Sequence, residues 1–288
     1  MAKTIVNMGA SVRARLLVIA KGRGQTFDLI LTRYAIERLL YRLGTSRFRD
    51  RFVLKGAMLM TTWFDVPFRP TRDLDLLGYG DPEAEGMVEI FAELCAIDAN
   101  DGVVFDGKGL IVDRIREELE YGGLRLRTNA VIGGATVRVS IDIGFGDATE
   151  PGLEELDYPV LLDNPAPHLR AYSRETVIAE KFQAMVLLGR ANSRMKDFYD
   201  IWLLAKTHRF EDDRLARAIA ATFERRRTTI PVDIPDALTE SFASDPAKQQ
   251  QWSAFARSLE EEVPPLARII AEAAEFLMPH AARARLSG

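Results

Sequence analysis

Apolar residues early in the chain recur at helical spacing. Between Thr26 and Leu43 they are Phe27, Ile30, Leu31, Tyr34, Ile36, Leu39, Leu40 and Leu43, with Arg33, Arg38 and Arg42 interleaved. This pattern predicts an amphipathic helix that Gly44 ends. A shorter helix is expected before it, from an N-cap at Ser11 to near Gly22. The stretch RFVLKGAMLMTTWF (51–64) reads as a strand entry, a turn at Lys55-Gly56 and a helix from Ala57, broken by Pro67 and Pro70. TRDLDLLG (71–78) alternates as a strand does, and a Glu-rich helix is predicted over 82–97. LRLRTNAVI (124–132) and ATVRVSIDI (135–143) alternate on either side of Gly133-Gly134, which predicts a hairpin. Beyond PAP (165–167) the pattern turns almost wholly helical, at 174–188, 194–207, 211–226 and about 247–277. The order predicts an α+β protein: a mixed β-sheet lobe packed with helices over 1–165, then a mostly helical C-terminal lobe over 166–288.

Composition narrows the chemistry. At 288 residues, 47% hydrophobic and 28% charged, the chain is long enough for a substantial core. Its one cysteine, Cys95, excludes an intramolecular disulfide, and the histidines at 168, 208 and 280 are too far apart in sequence for a Cys/His metal cage. The only apolar run near the start contains arginines and is too short to span a membrane. A reducing, cytoplasmic location and no membrane partner are expected. The net charge of −4 conceals two blocks of opposite sign. Arg13–Arg51 holds ten Lys/Arg against three Asp/Glu, and Asp81–Glu120 holds three against twelve. These are either solvated faces or, for the first block, a surface that holds a polyanion.

Candidate chemistry comes from the strand pattern. Leu74 and Leu76 point to one face of their strand, and Asp73 and Asp75 to the other. In the second hairpin strand Val137, Val139, Ile141 and Ile143 form the apolar face, opposite Arg138, Ser140 and Asp142. If the two strands are neighbours, three carboxylates share one face, which like-charge repulsion permits only with cations or bound metal. Oxygen ligands suit Mg²⁺ or Mn²⁺. Alone, D-x-D reads first as a solvated strand face. Asp142 in an otherwise apolar strand runs against propensity, and Lys55-Gly56 before a helix start offers N–H groups and close approach to a phosphate.

In the helical half, Ser173 is a predicted N-cap and Lys181 lies on the side of Val177, Ile178 and Met185. There it either snorkels to water or reaches a triphosphate. In SRMKDFYDIWLLAK (193–206), Lys196 and Asp200 are spaced i, i+4, with Arg194 and Asp197 at i, i+3. That spacing describes ordinary surface ion pairs.

The stretches YAIERLLYRL (34–43), FVLKGAMLM (52–60), RPTRDLDLLG (69–78), VSIDIGFGD (139–147), AEKFQAMV (179–186) and RMKDFYDIWLL (194–204) together resemble the AbiEii/AbiGii toxin family. These are nucleotidyltransferase toxins of type IV toxin–antitoxin systems. The resemblance implies a DNA polymerase β-like nucleotidyltransferase fold and NMP transfer from an NTP, with Mg²⁺ or Mn²⁺, to an RNA acceptor such as the 3′ end of tRNA. Translation would be inhibited. It further implies that Asp73 and Asp75 bind metal, that Asp142 is the third carboxylate and that Lys181 holds phosphate. Asp200, with Asp197, matches the last acidic motif, and Gly56 the phosphate-contacting glycine. Lys55, Arg72 and Lys196 are the adjoining basic candidates for nucleotide contact. An antitoxin encoded alongside is implied; direct binding to it is not. The chain has Gly56-Ala57 where many superfamily members have Gly-Ser, and a longer interval to Asp73.

The basic block around Arg33–Arg51 is the expected source of contacts to RNA phosphates. The competing readings are a small-molecule or protein acceptor, a non-catalytic RNA-binding module of the same fold, and a D-x-D glycosyltransferase. The last leaves Asp142 and Lys181 unexplained.

Overall fold

The computed structural model describes residues 7–64, 71–115, 122–259 and 262–287. The chain divides into two compact units, one made of residues 1–146 with 154–171, the other of 147–153 with 172–288.

The first unit contains α1 (Met8–Gly22), α2 (Phe27–Thr45), β1 (Phe52–Lys55), α3 (Gly56–Met60), β2 (Asp73–Gly78), α4 (Ala84–Ala96), β3 (Val103–Phe105), β4 (Ile111–Ile115), β5 (Gly123–Ile132), β6 (Ala135–Phe145), β7 (Leu153–Asp157) and β8 (His168–Tyr172). The strands form one mixed sheet in the order β3-β5-β6-β2-β1-β8-β7, with β4 also on β5. β2 runs parallel to β6 and antiparallel to β1. β5 and β6 are the predicted hairpin, closed at Ile132↔Ala135. Gly133 and Gly134 have φ of 54° and 82°, the left-handed pair that a two-residue hairpin turn demands.

Several expected boundaries shift. α1 is capped by Asn7, whose side chain accepts from the Ala10 N–H at 3.0 Å, so the helix begins before Ser11. Gly44 does not end α2, which runs on to Thr45. A Cβ on Gly44 would lie 2.7 Å from the His168 carbonyl, so the glycine serves close packing against β8. β8, parallel to β1 through Leu54↔Ala171, was hidden in the segment read as the start of the helical half. Pro67 and Pro70 lie outside the described residues.

The largest departure concerns α2, which is buried almost all round. Arg38 and Arg42 are 0% and 2% exposed. Both reach Asp101: Arg38 donates from Nε to Oδ2 at 2.9 Å, and Arg42 from Nη1 to Oδ2 at 2.6 Å. Arg42 also donates to the carbonyls of Ile97, Arg38 and Val103, and Arg38 to that of Pro165. Burial alone would raise the Asp101 pKa, but the hydrogen bonds from Arg42 and Arg38 bring it below its ordinary value. Near the surface Arg47 pairs with Glu93 and Arg49 with Glu155. Part of the basic block is therefore answered by acids of the same unit, Asp101 and Glu93 among them from the acidic block. Arg38 and Arg42 cannot be the RNA-contacting residues that the charge count suggested.

The second unit contains α5 (Arg174–Leu188), α6 (Met195–Thr207), α7 (Asp212–Arg225), α8 (Glu240–Ala243), α9 (Pro246–Ala256) and α10 (Leu266–Ser287). Ser173 caps α5, accepting from the Thr176 N–H at 3.2 Å. The core includes the ring pairs Phe182–Phe223 and Phe198–Phe242, with centroids 5.3 and 5.5 Å apart. The helix expected over 247–277 is two helices, α9 and α10. Pro264-Pro265 precede α10, where the missing N–H groups and the restricted preceding residue interrupt helical backbone. Among the described residues no helix is long and apolar enough to cross a membrane.

Candidate active site

The sheet lines up charged residues across its strands. Lys55 of β1 is the register partner of Asp75 in β2, and Asp75 that of Asp142 in β6. Asp142 in turn faces Arg125 of β5, and Arg125 faces Asp113 of β4. Directly opposed residues share a face of the sheet, so the row reads Lys55, Asp75, Asp142, Arg125, Asp113. Asp73, two residues before Asp75, is on the same face and opposite Ser140. The other face carries Leu74, Leu76, Val139, Ile141 and Ile143, none more than 1% exposed. The apolar residues anchor each strand in the core and leave the alternate positions to chemistry.

Arg125 was missed from the sequence. It grips Asp142 with a two-pronged hydrogen bond, Nε to Oδ1 at 2.7 Å and Nη2 to Oδ2 at 2.6 Å. The hydrogen bond to Asp142 and its charge, with those of Asp73 and Asp75 behind, hold the guanidinium pKa above its ordinary value. The signal was available: seven residues back from Ile132 and seven on from Ala135 reach Arg125 and Asp142. The cation that the acidic face requires is thus partly built in. Among the described residues no three acidic, His or Cys side chains form a ready metal cage.

Gly56 adopts φ +70°, and a Cβ there would lie 2.0 Å from Asp75 Oδ2. In this structure the group that uses the bare glycine is the Asp75 carboxylate. α3, which begins at Gly56, has only five residues, so its dipole adds little. Lys55, half-buried, precedes it as the capping residue. Arg72 is exposed and pairs with Asp28 of α2 at 2.9 Å.

In the second unit Lys181 reaches Asp197 at 2.6 Å and Asp200 at 2.8 Å. Both carboxylates are 0% exposed and the lysine side chain 12%. Arg194 adds a second cation to Asp197 at 2.6 Å. The i, i+3 pair expected from spacing therefore forms, but both acids are buried rather than on the surface and share a lysine from another helix. Lys196 is exposed. A further network escaped sequence reasoning: Arg226 donates to Asp147 at 3.1 Å and Glu180 at 3.0 Å, and the Tyr172 hydroxyl, 3.2 and 3.3 Å from the same two acids, shares its one proton between them. Burial first, then Glu180 and Asp147, hold the Tyr172 pKa well above its ordinary value.

The donor set on the sheet fits a hard divalent cation. Asp73, Asp75 and Asp142 offer carboxylate oxygens on one face, two of them in register on adjacent strands. Asp73 is exposed, and Asp75 and Asp142 are half-buried, so the face is open to solvent and ligand.

Solved structures share this architecture. The chain is similar to a protein from H. pylori assigned provisionally as a nucleotidyltransferase, with 14% identity and a TM-score of 0.52 over 91% of this chain and 99% of that one. It is also similar to JHP933 from Helicobacter pylori, at 14% identity and a TM-score of 0.51 over 91% of this chain and 97% of that one. At such identity these likenesses show the fold, a mixed α+β fold of nucleotidyltransferase type. No curated protein matches the sequence. The family model of the nucleotidyl transferase AbiEii toxin, type IV toxin–antitoxin system, matches residues 38–279, and the chain belongs to that family. It is a nucleotidyltransferase that uses an NTP.

Proposed function

We propose that this chain transfers an NMP from an NTP–Mg²⁺ complex to a hydroxyl of RNA, the 3′ end of tRNA being the acceptor, and so inhibits translation in the cytoplasm. The observation that carries the reading is the register of Asp75 with Asp142, with Asp73 on the same face. Asp73, Asp75 and Asp142 would hold the metal, Asp142 as the third carboxylate. Mg²⁺ held there would supply charge stabilisation at the transferred group and would lower the pKa of the acceptor hydroxyl. In the transfer, the acceptor oxygen forms a bond to the α-phosphorus, the bond to pyrophosphate breaks in line, and the acceptor's proton passes to water. Gly56 keeps the Asp75 carboxylate in place by leaving room for it. Lys181 supports the triphosphate as a compact charge, with Asp197 and Asp200 fixing its ammonium. Lys55, Arg72 and Lys196 are the remaining basic candidates for nucleotide contact.

Family membership supports a toxin role with a type IV antitoxin, and RNA as acceptor extends it. Arg125, Arg127 and Arg138 lie on the face of the three carboxylates and supply positive charge beside them. The burial of Arg38 and Arg42 weakens the charge argument for RNA. It favours, as a second reading, a small hydroxyl-bearing acceptor.

One experiment separates these. The protein is incubated with total RNA and each α-labelled NTP in Mg²⁺, alongside Asp75→Ala, and the products are run on a gel. Label at tRNA size from one NTP, absent with Asp75→Ala, is the expected result. Label confined to small molecules moves the acceptor to the second reading, and no label with any NTP refutes transfer to either.

A further inference from the structure

We infer that Arg125 is the resident counter-ion of the acidic face, a positioning residue that holds Asp142 until a divalent cation displaces it. The inference rests on the assignment of Asp73, Asp75 and Asp142 as metal-holding residues. Three properties of the pair carry it.

The first is geometry. Arg125 and Asp142 are directly opposed on β5 and β6, and both carboxylate oxygens of Asp142 accept from the guanidinium, at 2.7 and 2.6 Å. A planar fork on a planar carboxylate is the strongest arrangement such a pair can take. A dication that shares Asp142 must come close to the guanidinium, and like charges at one carboxylate repel. Cation binding at Asp142 is therefore an exchange.

The second is freedom to leave. The Arg125 side chain is 44% exposed and that of Asp142 22%. A solvent-facing guanidinium on a flexible stem can swing into water at small cost. The other arginine–aspartate cluster of this unit is built differently. Arg38, Arg42 and Asp101 are at most 2% exposed and tied to four backbone carbonyls, so that cluster is fixed.

The third is need. Asp75 and Asp142 are neighbours on parallel strands, and Asp73 follows on the same face. Without a cation their repulsion opposes the β2–β6 pairing on which the face depends. Arg125, directly opposite Asp142 and on the face of Asp73 and Asp75, sets a positive charge against that repulsion before the metal arrives.

The test is Mn²⁺ binding, read by the electron paramagnetic resonance of free Mn²⁺, together with melting temperature in EDTA and in Mn²⁺. The proteins compared are wild type, Arg125→Gln and Arg125→Lys. Arg125→Gln removes the competing charge at similar size and is expected to bind Mn²⁺ about tenfold more tightly, the worth of one charge-assisted pair. It is also expected to melt lower in EDTA and to gain more from Mn²⁺ than wild type. Arg125→Lys, with charge but no fork, should fall between. A folded Arg125→Gln that binds Mn²⁺ no more tightly than wild type overturns the inference. Should Arg125→Gln fail to fold, Arg125→Lys decides: tighter binding supports exchange, and equal or weaker binding overturns it. Wild type that shows the exchange yet labels no acceptor with any NTP removes the proposed function and leaves the exchange standing. Absence of Mn²⁺ binding in all three proteins overturns both.

Discussion

Replacing Gly56 with alanine tests the proposed active-site geometry at its tightest point. The backbone there has φ +70°, and the added methyl would lie 2.0 Å from Asp75 Oδ2, 2.6 Å from its Cγ and 2.7 Å from its Cβ. Non-bonded carbon contacts are comfortable at about 3.5 Å, so the carboxylate must retreat by about 1 Å or more. Two costs follow, and they act on different observables. An L-residue held in left-handed backbone costs about 1–2 kcal/mol, which lowers the melting temperature by about 2–8 °C for a protein of this size. A misplacement of about 1 Å at a reacting centre costs about 10² in rate. Gly56→Ala is therefore expected to remain folded, to melt a few degrees lower and to transfer NMP about a hundredfold more slowly. Circular dichroism melts and single-turnover labelling with an α-labelled NTP measure the two effects. The double variant Gly56→Ala/Asp75→Ala adds an internal check. With the Asp75 side chain cut back, much of the obstruction is gone, and the alanine should cost less than it does in the wild-type background. Wild-type melting and turnover in Gly56→Ala would refute the reasoning. An identical stability cost in both backgrounds would show that Asp75 is not what the glycine accommodates.

Other expectations concern the buried charges. Asp101→Ala leaves two guanidinium groups buried without their acid and should destabilise the protein by about 3–5 kcal/mol in denaturant titration; a loss under 1 kcal/mol would show that water replaces the carboxylate. Burial pushes the Glu37 carboxyl up to about 7 from an ordinary 4.5, against the Leu161 N–H and Arg38 that favour its charge. The folded state thus binds this proton more tightly than the unfolded chain. Stability from Glu37 is fully present below about pH 4.5 and is lost as pH rises through 7, up to about 3 kcal/mol. Glu37→Gln should flatten that decline between pH 5 and 8, and parallel stability profiles for variant and wild type would contradict it. Lys181→Met takes the lysine from buried Asp200 and leaves Asp197 with Arg194, so it should cost about 3 kcal/mol of stability and about 10²–10³ in transfer rate measured well below its melting temperature. Full activity in that variant would leave the lysine a purely structural role.

What the sequence determined about this protein is what short-range rules govern. The period-two alternation of 124–132 and 135–143, with two glycines between them, specified the hairpin and its register, hence the face on which Asp142 lies. The same alternation put Asp73 and Asp75 opposite Leu74 and Leu76. Ser173 announced its helix, because an N-cap acts within one turn of itself. The family resemblance added the candidate residues for the chemistry, and the match over residues 38–279 shows the family.

The tertiary structure decided which charges meet. Ten cations in Arg13–Arg51 looked like a surface until Asp101, 63 residues beyond Arg38 and 59 beyond Arg42, was seen buried between two of them. Asp197 and Asp200 read as a solvated face until Lys181 of a different helix was found on both. β8 was too short to announce itself, and only its pairing with β1 makes it a strand. Period and cap chemistry act over a few residues and survive in the sequence as pattern. A buried charge is tolerated only by a partner brought there by the whole fold, and that partner's position along the chain is set by topology.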